Sequence, residues 1–414
     1  MDTTLLEQIP FREDGTMDLR EMARLDLERI VNAIMDEQAS ELCGEGNRRN
    51  GYRERKLMTM AGEITLRIPK LREGTYFPDE LIRPYSRVDR AVISAVKEVY
   101  AMGLSTRKIE RAAAELEFGK LSPSRVSRMT SELDEEVGLF GSAELDQPAY
   151  PYLWLDATYV KCRDGGRVQS KAVVSAIACG ADGRRQFVGF DCFDAESHGD
   201  WRGFLLGLRR RGLKGVVCVV SDAHAGLRRA IEEVFQGAAW QRCIVHLERD
   251  IAGRLPRKQD RLRAMRAMKA VFAERDPEMV RALYRRACEE VGALSRKAGE
   301  LLEDAEEDAL AYLDFPREHH VRLRTNNVQE RANVEVKRRT RVVNVFPSVR
   351  SMMRLVGSVL LDVNDEWASR RFIDRASVGK ASKQVAQAAI VSDEAMERAL
   401  MVIRLAMGAG DKAA

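Results

Sequence analysis

What this chain lacks narrows it first. Its seven cysteines (43, 162, 179, 192, 218, 243 and 288) form no Cys-x-x-Cys pair and make an odd set. That argues against a ribbon-type zinc site and a disulfide framework, and suits a reducing cytoplasm. No apolar run approaches the length of a membrane span, and the opening residues Met1 to Glu7 have neither the basic nor the apolar region of a signal peptide. The expectation is a soluble cytoplasmic protein with no membrane partner. A dominant sign of charge is missing too: 68 Lys and Arg against 64 Asp and Glu leave a net +4, so only the distribution of charge is informative. With 414 residues there is room for about two to four domains with a proper core.

The distribution begins acidic and inverts. From Asp18 to Leu42, Leu19, Met22, Leu25, Leu27, Ile30, Ile34 and Leu42 recur at helical spacing, which predicts one amphipathic helix or two. Arg48-Arg49-Asn50-Gly51-Tyr52-Arg53 then leads into Lys56 to Lys70, where Ile64, Leu66 and Ile68 alternate with Thr65, Arg67 and Pro69. That is a β-hairpin with a basic rim, either a solvated loop or a DNA backbone contact. Between Val88 and Leu133, Val92, Val96 and Val99 mark a helix that breaks at Gly103, and Ser105 opens a second carrying Ile109, Ala112, Ala113 and Leu116. After a turn at Gly119, Ser122-Pro123-Ser124 opens a third, with Arg125, Ser127, Arg128 and Thr130 expected on its exposed face. This is helix-turn-helix punctuation, in which the last helix reads the major groove, although any small helical bundle shows the same pattern.

The core starts at Tyr152-Leu-Trp-Leu-Asp-Ala-Thr-Tyr-Val-Lys161, a strand by its aromatic and β-branched content, with Asp156 anomalous in its middle. A carboxylate between apolar neighbours is costly to bury unless a cation meets it. Val168 to Ala178 and Arg185 to Phe193 predict two further strands of an antiparallel meander, and a helix with Trp201, Phe204, Leu205 and Leu208 follows. Gly215 to Val220 predicts a buried strand that stops at Ser221-Asp222-Ala223-His224; a helix with Leu227, Ile231 and Val234 is next, then a fifth strand from Trp240 through Cys243 and Val245 to His246. Three antiparallel strands, then helix, strand, helix, strand is the order of the ribonuclease H-like fold, whose first and fourth strands are neighbours. Asp156 and Asp222 then lie side by side, and such a pair repels unless a divalent cation neutralises it. Magnesium, with its preference for oxygen ligands and substrate phosphates, makes this a phosphoryl-transfer pattern.

Arg254 to Glu307 reads as a helical insertion, basic on entry and acidic on exit, with Met265, Met268, Val271, Phe272, Leu283, Leu294, Leu301 and Leu302 as its apolar positions. The core resumes at Arg324 to Thr340, where Asn326 is expected to cap a helix with Gln329 at the reciprocal position. Glu330, Asn333 and Lys337 share one helical face, assigned to the site, and Val328, Ala332 and Val336 another. Glu335 lies about 140° of helical rotation from Glu330, and Glu318 precedes the helix.

Together these residues resemble the mutator-type DDE transposases of bacterial insertion sequences. The resemblance rests on Arg49-Asn-Gly-Tyr52, Gly103-x-Ser105 to Ser124-Arg-Val-Ser-Arg128, Leu155-Asp-Ala-Thr158, Trp201-x-x-Phe-Leu205, Arg211-Gly-Leu213, Ser221-Asp222-x-His224, Cys243-x-x-His246, Thr325-Asn-x-x-Glu330-Arg-x-Asn333, Arg338-Arg-Thr-Arg341 and Phe346-Pro347. Ala223 departs from the family's common glycine, and the tail from about Ala376 has no counterpart. By this resemblance Asp156, Asp222 and Glu330 are a catalytic triad holding two Mg2+ ions, with Mn2+ able to substitute, and Cys243 and His246 flank the active site. His246 is expected to hydrogen-bond a catalytic carboxylate or contact the DNA end, with a core histidine as the alternative; Cys243 and His246 make only half a zinc site, and His224 ranks below His246 as a helix-start residue. Asn333 would support the site. DNA would meet Arg48, Arg49, Arg125, Ser127, Arg128, Lys337, Arg338, Arg339 and Arg341.

The fold class expected is therefore a ribonuclease H-like α/β core, a mixed five-stranded sheet with helices, carrying an α-helical insertion and preceded by a mainly helical DNA-binding region. The division expected is 1–75, N-terminal helix and hairpin; 76–146, helix-turn-helix; 147–250, first part of the core; 251–318, insertion; 319–375, final part of the core; and 376–414, a helical tail marked by Val385, Ala389, Ile390 and Met396. The expected function is binding of an element's terminal inverted repeats and target DNA, as a homodimer or higher oligomer at the bacterial nucleoid, with metal-dependent strand cleavage and transfer. A ribonuclease H-like nuclease without transposition would keep the triad but need no sequence-reading region. A DNA-binding regulator derived from a transposase would have no need of the triad.

Overall fold

The computed structural model describes residues 9–43, 48–78, 88–115, 121–381 and 391–408. Leu116, Gly119, Val385, Ala389 and Ile390 lie outside the described residues, so the expected turn at Gly119 and most of the tail's expected apolar positions are not addressed. The chain divides into two compact units, Met1–Glu136 with Arg341–Val343, and Val137–Thr340 with Asn344–Ala414. No helix among the described residues is long and apolar enough to cross a membrane.

In the first unit one helix, Leu19–Cys43, packs on a hairpin of β1 (Arg49–Thr59) and β2 (Gly62–Leu71). The alternation in β2 places Ile64, Leu66 and Ile68 inside, against Met35 of the helix. Polar helix side chains complete the contact: Asn32 accepts from Arg67 N at 2.7 Å and donates to Thr65 O at 3.0 Å, while Glu28 accepts from Thr65 N at 3.0 Å. This corrects the expected helix face. Leu19, Leu25, Ile30, Ile34 and Leu42 are exposed, and of the expected apolar positions Leu27 packs against the core. Three short helices follow, Arg90–Ala101, Thr106–Glu115 and Pro123–Thr130, the first two separated at Gly103 in the left-handed region. Ser122 caps the third, accepting from Arg125 N at 3.3 Å, with Pro123 in its first turn. That helix stops at Thr130. Leu133–Ser142 is a separate helix whose first turn holds Asp134, Glu135 and Glu136, a favourable place for acids.

The second unit is built on a five-stranded sheet of order β5-β4-β3-β6-β7, in which β3 is Tyr152–Asp164, β4 Arg167–Cys179, β5 Arg185–Phe193, β6 Cys218–Ser221 and β7 Ala239–Arg242. The first three are antiparallel neighbours, and β6 and β7 add in parallel. With its helices this is a ribonuclease H-like α/β core. Alternation along β3 decides which face each residue serves. Leu153 and Leu155 join the core under the His198–Arg210 and Ala225–Val234 helices, with Trp201, Leu205, Leu208, Leu227 and Ile231. Tyr152 and Trp154 turn the other way, toward His319 and Arg322, whose carbonyl accepts from the Trp154 indole at 3.3 Å. Asp156 continues that second face.

The fifth strand is shorter than expected. It ends at Arg242, and Cys243 is the N-cap of a helix, Ile244–Gly253, so Val245 and His246 are helical. The fourth strand is similarly confined to Cys218–Ser221. The insertion consists of the helices Lys258–Ala273, Pro277–Leu294 and Arg296–Asp304, with Met268, Val271, Phe272, Leu283 and Leu302 buried. A further helix, Asp393–Gly408, lies against it: Arg286 donates to Met396 O at 3.2 Å and Arg404 pairs with Glu290 at 2.8 Å. Tail and insertion thus form one bundle.

The long helix Asn327–Val343 is fixed across the second face by side-chain amides. Asn326 donates to Leu155 O at 2.9 Å, and Gln329 donates to Trp154 O at 2.8 Å and Ser175 O at 3.0 Å while accepting from Ser175 Oγ at 2.9 Å. The expected reciprocal cap is therefore absent. Asn326 stands at the cap position without a capping side-chain bond, because both amides are drawn into the sheet. Replacing Gln329 by Leu would strand buried partners, each costing about 1–3 kcal/mol when unsatisfied. Chemical denaturation of Gln329→Leu should therefore show destabilisation of at least about 2 kcal/mol; an unchanged midpoint would mean the helix is held by its apolar face alone.

Candidate active site

Three elements bring carboxylates to the second face of the sheet. Asp156 comes from the middle of β3, paired in register with Ser175; Asp222 follows directly where β6 ends at Ser221; Glu330 lies in the first turn of Asn327–Val343. The order of the strands dictates the first two, since β3 and β6 are parallel neighbours and both approach the same edge. The amide contacts dictate the third. Asn326, Gln329 and Asn333 follow one another by about a turn, and Asn333 Nδ2 donates to Asp156 Oδ2 at 2.7 Å. Its burial in Asn327–Val343 gives that amide a fixed direction.

The charges of the other two acids act on Asp156. Burial pushes the Asp156 carboxyl up to about 7, the charge of Asp222 adds to this, and Glu330 adds further; the Ala157 backbone amide and the Lys337 ammonium oppose it. Glu318 lies 3.9 Å from Lys380, and Glu335 pairs with Arg338 at 2.8 Å. Glu330 instead meets a cation from another helix: Arg249 Nη2 donates to its Oε1 at 2.9 Å. Among the described residues no group of three or more His, Cys, Asp or Glu side chains is close enough to hold a metal ion. The donor set is nonetheless of the kind that suits a hard divalent cation: carboxylate oxygens, one of them raised in pKa by burial and by its acidic neighbours, beside a neutral amide.

The remaining expected residues separate. Cys243 is fully buried, its Sγ accepts from Asn326 N at 3.2 Å, and burial pushes its thiol up, so it braces the start of the Glu330 helix. His246 has Arg249 as its partner, 3.3 Å from Nε2, and reaches none of the three acids. A guanidinium only donates, so Nε2 accepts, and the buried Nδ1 has no partner among the described residues. His224 is the N-cap of Ala225–Val234, its Nδ1 accepting from Leu227 N at 3.3 Å. Of the basic run, Lys337, Arg338 and Arg341 are exposed, whereas Arg339 turns to Asp362 at 2.7 Å. In the first unit Arg48, Ser127 and Arg128 are exposed, Arg125 is half-buried, and Arg49 pairs with Asp36 at 3.0 Å. Thr130 is buried, contrary to expectation, with its hydroxyl bonded to Ser127 O at 3.1 Å. Arg249 was not anticipated. Its only sequence signal is a position one helical turn beyond His246, since the carboxylate it meets is 81 residues away.

Residues 6–370 match the family described as Transposase, Mutator family. The chain belongs to that family. Among similar proteins, the transposase for insertion sequence element IS1081 of Mycobacterium tuberculosis is 39% identical over 355 residues, covering 83% of this chain and 85% of its own. The transposase for element ISRM5 of Rhizobium meliloti is 38% identical over 364 residues, covering 86% and 90%. The transposase for element IS256 in transposon Tn4001 of Staphylococcus aureus is 35% identical over 361 residues, covering 84% and 92%. Membership in this mutator family carries transposase activity and DNA binding in general terms.

The raised Asp156 makes stability depend on pH with a definite sign. The folded chain holds that proton to about 7, above the ordinary 3.8, so folding takes up a proton between those values. The contribution is complete below the ordinary value and lost as pH rises through about 7. In metal-free buffer at about pH 8, Asp156→Asn should raise stability by on the order of 1–3 kcal/mol, and the gain should fade toward about pH 4. Thermal unfolding across that range measures it. A gain independent of pH would show that charge at Asp156 is not its source.

Proposed function

We propose that this mutator-family chain binds the terminal inverted repeats of an insertion sequence and cleaves and joins DNA strands through Asp156, Asp222 and Glu330. The observation that supports the reading is that the charges of Asp222, at the end of β6, and of Glu330, on the Asn327–Val343 helix, both act on Asp156 of β3. Asp156, Asp222 and Glu330 would hold two divalent ions, Mg2+ or Mn2+. Bound there, the ions would supply activation of a water or 3′ hydroxyl and stabilisation of the leaving 3′ oxygen. Asn333 orients the Asp156 carboxylate through its 2.7 Å bond. Lys337, exposed on the same helical face, offers a cation to the phosphate backbone, with Arg338 and Arg341 exposed beyond it. Cys243 sets the start of the helix that carries Glu330.

Recognition of the DNA is assigned to the first unit. The Thr106–Glu115 and Pro123–Thr130 helices serve as a helix-turn-helix whose second member presents Arg125, Ser127 and Arg128 to base edges. Arg48 and Arg49 at the start of the hairpin would meet phosphates. The functional divisions proposed are 1–75, 76–146, 147–250, 251–318, 319–375 and 376–414, with a homodimer or higher oligomer assembled on the DNA.

Incubation of purified protein with the element's end DNA and Mg2+ tests the chemistry. Asp156→Asn, Asp222→Asn and Glu330→Gln should each abolish strand cleavage and leave end binding nearly unchanged, because each loses an ion-holding charge and little shape. Cleavage by Glu330→Gln together with a dead Glu335→Gln would overturn the assignment of the third acid. For recognition, alanine at Arg125 and Arg128 should weaken binding to end DNA by about 1–3 kcal/mol for each base edge no longer read, with a much smaller effect on random DNA. Equal weakening on both DNAs would reduce these arginines to phosphate contacts.

A further inference from the structure

Arg249 is the one cation bonded to a member of the proposed triad among the described residues, and nothing in the family assignment requires it. It stands on the Ile244–Gly253 helix, with one guanidinium nitrogen on Glu330 Oε1 at 2.9 Å and another 3.3 Å from His246 Nε2. Both side chains are reachable from solvent, with Arg249 61% exposed and Glu330 32% exposed. The pair is therefore a contact that a stronger partner on either side can replace. Glu330 is less firmly held than Asp156: Asp156 is fixed in the sheet and by Asn333, whereas among the described residues Glu330's side-chain bond is the one to Arg249.

The geometry points to Arg249 as a stand-in cation that occupies Glu330 until DNA draws it away, so that DNA binding and divalent-ion binding favour each other. This rests on the reading of Asp156, Asp222 and Glu330 as the ion site. The argument is one of exclusion. A carboxylate oxygen engaged by a guanidinium is not free for a divalent cation, and the guanidinium charge beside it repels that cation. For Glu330 to join Asp156 and Asp222, Arg249 has to leave it. A DNA phosphate is the partner suited to receive it, because a guanidinium fork fits two phosphate oxygens as it fits a carboxylate. His246, one turn earlier on the same helix, keeps the second nitrogen of Arg249 at the site through the exchange. Linkage then makes the effect reciprocal: whatever factor DNA adds to ion affinity, the ion adds to DNA affinity.

The measurement is calorimetric titration of the full chain with Mn2+ alone, and again with a duplex bearing the element's terminal sequence, for wild type, Arg249→Ala, Arg249→Gln, Asp156→Asn, Glu330→Gln and the Glu330→Gln, Arg249→Ala double variant. Without DNA, both Arg249 variants should bind Mn2+ about two- to fivefold more tightly than wild type, the size an exposed ion pair supports. On the Glu330→Gln background the Arg249 substitution should change nothing. The duplex should tighten Mn2+ binding in wild type by a similar factor and do so much less in the Arg249 variants. Mn2+ affinity unchanged or weakened in both Arg249 variants, with circular dichroism showing them folded, would overturn the stand-in role even while Asp156→Asn abolishes ion binding. If Asp156→Asn binds Mn2+ as wild type does, the ion site itself is misplaced and the inference falls with it.

Discussion

The bonds between the Asn327–Val343 helix and β3 are the constraint on which the site depends. A helix laid across a sheet by apolar packing alone is free to slide by part of a turn, and such a slide would carry Glu330 and Asn333 past the strand acids. Asn326 and Gln329 prevent it by bonding to the carbonyls of Leu155 and Trp154, next to where the parallel ladder with β6 ends at Trp154. Buried amides of this kind are costly unless satisfied, so they specify one register and penalise its neighbours. The same stripe then delivers Asn333 to Asp156. Stability and the geometry of the candidate site are here carried by neighbouring residues of a single helix.

That face explains why an acid tolerates the middle of a strand. Asp156 shares a side of β3 with Tyr152 and Trp154, which are fully buried, yet it lies at the point where the sheet face becomes polar. It has the Asn333 side-chain amide and the Ala157 backbone amide as donors and faces two acids, an arrangement that favours a proton or another cation over an isolated charge. A protein selected only for stability would not retain it. Lys171 offers the contrast within the same sheet. It is a buried charge, but Asp164 and Asp194 both meet it, and its ammonium stays charged.

Sequence patterns made the strands of the meander legible because alternation and turn glycines are local. Arg185 to Phe193 was bounded by them, and the neighbouring positions of β3 and β6 followed from element order. The signals failed where tertiary contacts overrode them. Cys243-Ile-Val reads as a strand by composition, but its thiol is wanted as an acceptor for Asn326 N, and the chain turns helical there. Asp134, Glu135 and Glu136 show how an acidic run suits a helix start, since they fill the first turn of Leu133–Ser142. The Leu19–Cys43 helix carries two apolar stripes, and the hairpin covers the one marked by Met35 and Ala39, with polar bonds from Glu28 and Asn32 making up the difference. In the site, the three acids stood out by residue type and position. Arg249 did not, because an arginine on a helix is ordinary until its distant partner is known.

The helical insertion divides the site in time as well as in sequence. Asp156 and Asp222 are both synthesised before the insertion begins, and Glu330 only after its helices have been made. The sheet can therefore assemble as the chain emerges while its acidic pair still lacks the helix that carries Asn333 and Glu330. The Asp393–Gly408 helix, which lies on the insertion through Arg286 and Arg404, is made later still. A nascent chain stalled between these points would hold a formed sheet without the helix that carries Asn333 and Glu330.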